Sequence, residues 1–236
     1  MKQTNMFGEG KFFGIANLIY GLLMTNIYFV FSNILFLFFF MALQPSISNL
    51  TIYFLALIPT GPAISALFYS LGKLIREKEL SPLRDFFYGY KINFKDTLKF
   101  WLPFLAVLFI LLVDLHYFNS KGSILYLILS VVFLVAIIVL LVLTLNAFLI
   151  NAGFVFRTKD LWKLSVYYSF KKRKVTFGNI GIVIITLFLS AVTTDFLVVL
   201  AASLIGYVFL VNSKDLLEDI QQNFCKPEDG LKQKTV

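Results

Sequence analysis

Residues able to do acid–base or metal chemistry are few in this chain. His116 is the sole histidine and Cys225 the sole cysteine, so neither an imidazole relay, a cysteine metal cluster nor an intramolecular disulfide can be assembled. Asp114 lies two residues from His116, and side chains two apart on a helix point in different directions. The pair therefore reads as a helix end at an interface and not as an acid and its base. Asp195 is the other acid in the later apolar stretches, in Thr193-Thr194-Asp195. No nucleophile elbow, zinc-binding helix signature, phosphate-binding loop or dinucleotide glycine pattern occurs. The expectation is a protein that is not an enzyme and that carries no catalytic residue, cofactor or metal.

A second kind of chemistry needs no titratable group. Pro59, Thr60, Gly61, Pro62, Ala63 and Ser65 interrupt an apolar run from Leu50 to Leu74. Proline lacks an amide donor and clashes with the preceding turn, so a helix cannot pass through this sequence unbroken. A helix restarting after Pro62 would open with free N–H groups at Ala63, Ile64 and Ser65, which suit an anionic group. In discontinuous transporter helices such ends bind substrate. Alternatively the break is a packing device, with Ala63, Ala66 and Ser70 forming a small-residue face. Other polar groups at membrane depth are Thr25, Asn26, Ser32, Asn33, Ser130, Thr144, Asn146, Thr186 and Ser190, and hydrogen bonding between helices is their default use.

The elements that must position these groups follow from hydropathy. Of 236 residues 59% are hydrophobic and only 14% charged, against ~25% charged in soluble domains, and the mean hydropathy is +0.84. This predicts an all-α bundle of transmembrane helices, one domain over residues 1–212, followed by a polar cytoplasmic tail at 213–236. A crossing helix needs ~20 apolar residues. The spans are read as 18–43, 50–74, 100–117, 123–152, 180–192 and 196–211, about six, with the last two forming a hairpin capped at Thr193-Thr194-Asp195. Lys2 and Lys11 precede a first apolar run with no cleavage site, so that run is expected to be retained.

Charge placement supports the count. Of the 21 Lys and Arg residues, all but Lys121 fall before span one, between Lys73 and Lys99, between Arg157 and Lys174, or in the tail. Six spans put these on one side, with both termini cytoplasmic. The net charge of +8 is thereby assigned to anionic lipid headgroups and not to nucleic acid.

Two cytoplasmic segments are expected to form amphipathic helices in the membrane interface. The first starts at Ser81-Pro82 with Asp85 in its first turn and carries Leu83, Phe86, Phe87, Tyr90 and Phe94 at helical spacing, with Lys91 on another face. The second starts at Thr158 with Asp160, carries Leu161, Trp162, Leu164, Tyr167 and Tyr168, and ends in Lys171, Lys172, Arg173 and Lys174. Phe86, Phe87, Tyr90, Lys91, Trp162 and the basic quartet are the candidate docking surface for lipid or for a partner.

The run Pro59-Thr60-Gly61-Pro62-Ala63-Ile64-Ser65-Ala66-Leu67 resembles the Pro-x-Gly-Pro-Ala-x-x-Ala-Leu signature of the YesL-like family of bacterial membrane proteins, a family of unknown function. The run from Arg84 to Lys95, followed by Trp101, is similar to that family's first cytoplasmic segment, while the stretch with Gln44-Pro45 is longer than the family pattern. The resemblance implies a small multi-span protein of the bacterial inner membrane, often encoded beside carbohydrate ABC-transport genes. It implies no activity and no active-site residue. On it rests the expectation of a non-enzymatic accessory or regulatory partner of a carbohydrate-uptake system, engaging ABC-transporter subunits or a second copy of itself. The other expectation is a small transporter or channel with its site at the broken second helix.

Overall fold

A computed structural model of the chain describes residues 11–77, 81–192 and 200–224. The expected turn at Thr193-Thr194-Asp195, the start of the sixth span and Cys225 lie outside the described residues. Ten α-helices make up the rest: α1 Lys11–Ser32, α2 Ile34–Ala42, α3 Leu50–Ala56, α4 Thr60–Glu77, α5 Pro82–Asn119, α6 Ile124–Gly153, α7 Thr158–Lys171, α8 Arg173–Val192, α9 Ala202–Asn212 and α10 Lys214–Phe224. A short 3-10 turn, Ile47–Asn49, leads into α3. The described residues contain no strand.

Four helices are long and apolar enough to cross a membrane, Gly14–Ser32 within α1, then α5, α6 and α8. The pair Ile47–Ala56 and Thr60–Glu77, bent by 49° at the proline break, makes a fifth if taken as one span. At 11 residues α9 is apolar but short, about 17 Å long at 1.5 Å per residue. The described residues thus hold four to five candidate spans where the sequence predicts six.

Two expected elements differ in extent, each for a local reason. The first run is not one helix from 18 to 43. Ser32 Oγ donates to the Tyr28 carbonyl and Asn33 Nδ2 to the Phe29 carbonyl, side-chain bonds that compete with the backbone ladder and separate α1 from α2. The aromatic–basic segment after Ser81 is not a separate interfacial helix. It is the first part of α5, whose 38 residues extend about 57 Å, because nothing between Phe94 and Lys99 stops a helix.

The core gathers around α4, which packs on α1, α5, α6 and α9. Gly61, Pro62, Ala63 and every residue from Ser65 to Leu71 are buried, small residues alternating with the large rings of Phe68 and Tyr69. The outer faces are the reverse of a water-soluble surface: α6 exposes Ile124, Leu125, Ile128, Val131, Val132 and Val135, as lipid-facing residues must be. Polar side chains inside tie helices together. Asn26 accepts the Ser203 N–H at the start of α9, Asn146 Nδ2 donates to Ser169 Oγ of α7, and Asn179 Nδ2 donates to Ser213 Oγ.

Candidate functional site

The break between α3 and α4 is sealed from within the chain. The Leu57 N–H donates to Tyr53, the Thr60 N–H to Leu57, and the Ala63 N–H to Pro59. The helix therefore restarts at Thr60, ahead of Pro62, and the Ala63 amide expected to be free is used. Trp101 of α5 closes the other side. Its Nε1–H donates to the Leu57 carbonyl at 2.9 Å, and its ring lies so close to Gly61 that an added Cβ would clash with Cδ1 and Cγ. Glycine is required here by the approach of the indole. Trp101 itself stacks on Phe104, with centroids 4.8 Å apart, and tilts against Phe148 of α6 at 5.4 Å.

Thr60 Oγ1 is buried beside this plug without a hydrogen-bond partner. An unpaired buried hydroxyl costs stability, and a methyl of the same shape removes the cost. Thr60→Val is therefore expected to leave the unfolding midpoint in detergent unchanged or higher. A lowered midpoint would mean that the hydroxyl has a partner.

One turn into α4, Ser65 Oγ and Thr97 Oγ1 of α5 lie 2.7 Å apart, and Asn151 Nδ2 of α6 donates to Thr97 at 3.1 Å. All three are buried. The group contains no titratable side chain, so its chemistry is limited to hydrogen bonding, here between three helices at once. Ser65 was legible as a polar residue at depth. Thr97 and Asn151 were not singled out, although Asn93 and Thr97, spaced i and i+4 on the face that also bears Phe86 and Phe100, were a readable signal.

Ion pairs gather at the end of α4, the start of α5, the end of α7 and on α10, a region called the charged end below. Lys73 Nζ donates to Asp85 Oδ1 at 2.9 Å, and Asp85 Oδ2 accepts the Ser81 N–H at 3.0 Å. Asp85, not the Ser81 hydroxyl, thus fastens the start of α5. The residues of the first candidate docking segment separate: Phe86 is fully buried in the core and Tyr90 half-buried, while Phe87 is 50% exposed and Lys91 exposed. Phe86 therefore cannot be part of an outward docking face.

The second segment separates in the same way. Trp162 is half-buried, edge-on to Phe100. Lys171 and Lys172 contact Asp219 of α10 at 2.8 and 3.4 Å, and the Tyr168 hydroxyl donates to the same carboxylate at 2.6 Å. The Lys171 ammonium, then the Tyr168 hydroxyl, hold the Asp219 carboxyl well below the usual carboxylate range, and Asp219 in turn raises Lys171. Leu216 and Ile220 of α10 are fully buried beneath. Half of the basic quartet is thus taken by the chain's own tail helix, leaving Arg173 and Lys174 facing outward.

Residues 22–115 match the model of a family described as a protein of unknown function, DUF624. That stretch contains Gly61 with Trp101, the Lys73–Asp85 pair and both runs on which the YesL-like resemblance rests. No curated protein and no solved structure matches the chain.

Proposed function

We propose that this is a six-span protein of the bacterial inner membrane with both termini cytoplasmic. It would act without catalysis, as an accessory or regulatory partner of a carbohydrate-uptake system, with ABC-transporter subunits as its partners. The observation that carries this reading is the plug at Gly61. The bent break among the described spans is filled by the protein's own Trp101, which argues against a substrate site there and hence against the small-transporter alternative. Phe87, Lys91, Arg173 and Lys174 remain outward at the charged end, a mixture of ring and cation suited to a partner's acidic, apolar face.

The test is co-purification of tagged protein with ABC permease subunits from detergent-solubilised bacterial membranes. Phe87→Ala with Lys91→Gln is expected to reduce recovery about tenfold, the equivalent of about 1.4 kcal/mol, at unchanged membrane content. Recovery equal to wild type would reject the partner reading. Solute flux through the purified protein in liposomes, lost on Thr60→Val with Ser65→Ala, would establish the transport reading in its place.

A further inference from the structure

A cavity of about 220 Å³ opens at the charged end between α4, α6, α9 and α10. Phe68, Leu149 and Leu210 form its inner walls, and Arg76, Lys214 and Glu218 stand at its mouth. Eight residues of helix separate Phe68 from Arg76, about 12 Å along the axis, so the cavity runs from a charged rim into the apolar depth of the bundle. Phe68 also borders a second, almost wholly apolar cavity of about 410 Å³, which extends past Trp101 and Gly206. The two spaces share Phe68 as a wall.

The rim is short of negative charge. Lys73 is paired with Asp85, and Lys171 and Lys172 with Asp219. Among the described residues Arg76 has no ion pair, and Lys214 has only a long contact of 3.7 Å with the exposed Glu218. The Arg76 guanidinium is folded back along its own helix: Nη1 lies 3.3 Å from where a Gly72 side chain would begin. The missing side chain of Gly72 lets the cation lie at the mouth.

We infer that this cavity binds an anionic phospholipid, the phosphate at Arg76 and Lys214 and an acyl chain running inward along Phe68. Guanidinium matches phosphate with paired donors. The apolar walls select a chain over a free anion, and a cation at the end of spanning helices meets headgroups where they lie. The Lys171–Lys172 cluster is not the site, because both lysines already contact Asp219 and neither lines the cavity. This site is independent of which protein the outward face engages.

Gly153 supplies a clean way to block it. It lines the cavity and closes α6, and a Cβ there would meet nothing within 4 Å, so Gly153→Leu fills the chain's space without displacing the core. The experiment is native mass spectrometry of the purified full chain, titrated with phosphatidylglycerol or with phosphatidylcholine. The expected result is about tenfold preference for phosphatidylglycerol, lost in Arg76→Gln, with binding of both lipids reduced in Gly153→Leu and unchanged in the exposed Lys163→Gln. Equal binding of the two lipids would overturn the inference, as would undiminished binding in the Arg76 and Gly153 variants. Displacement of phosphatidylglycerol by millimolar inorganic phosphate would also overturn it, identifying the site as one for a free anion.

Discussion

Replacing Gly61 with alanine is expected to cost about 1–3 kcal/mol, the usual range for an overpacked core, and to lower the thermal midpoint followed by circular dichroism in detergent. The new Cβ would lie well inside van der Waals contact of Trp101 Cδ1 and Cγ. The indole cannot withdraw cheaply. Phe104 and Phe148 pack against its ring, and moving it breaks the hydrogen bond to Leu57, leaving a carbonyl at membrane depth with one partner fewer. Trp101→Phe tests the same contact from the other side. It removes the indole donor, a loss of about 1 kcal/mol, but gives Gly61→Ala some room. The double variant should therefore be more stable than the sum of the singles predicts. A Gly61→Ala protein as stable as the parent would show that the plug does not hold the bent span.

The break was legible because its cause is local: Pro59, Gly61 and Pro62 stand together, and each disfavours a continuing helix for its own reason. What fills the break was not, since Trp101 follows Leu57 by 44 residues and only the folded chain brings them together. Pattern alone left Gly61 free to line a ligand site, whereas the contact makes it a packing position. The same limit separated Phe86 from Phe87. Spacing placed both on one apolar side of a helix, but in a bundle the apolar side of a helix faces either protein or lipid, and sequence carries no sign of which.

The basic quartet shows the limit for charge. Counting Lys and Arg along the chain needs no partner, so their concentration at 73–99 and 157–174 could be read directly. Pairing needs both members. Asp219 lies 48 residues beyond Lys171, in a segment read only as a polar tail, so its pairing with Lys171 and Lys172 was out of reach. Arg76 and Lys214, ordinary members of the cation count, became notable only once their neighbours were known to be paired or apolar.

The Lys73–Asp85 pair should give the largest effect of any single charge removal. Asp85 is nearly inaccessible, with a side chain 3% exposed, and Lys73 is 15% exposed. Lys73→Met strands a buried carboxylate, a change that typically costs about 3–5 kcal/mol. Asp85→Leu should cost less, because the freed ammonium already lies 3.7 Å from the half-exposed Glu77 and its flexible stem can carry it outward; the lost acceptor for the Ser81 N–H adds to that cost. Combining the two substitutions removes both charges and should recover most of the stability lost by Lys73→Met alone. Hydrogen exchange across residues 82–90 provides the measurement: it should rise steeply in the Lys73 variant and return toward the parent in the double. Equal exchange in all three variants would place the anchor of α5 elsewhere, in the burial of Phe86 alone. The pair ties the start of α5 to α4. It thereby keeps Phe86 in the core and presents Phe87 and Lys91 outward, so a register lost at Asp85 would alter the proposed partner surface without touching any of its residues.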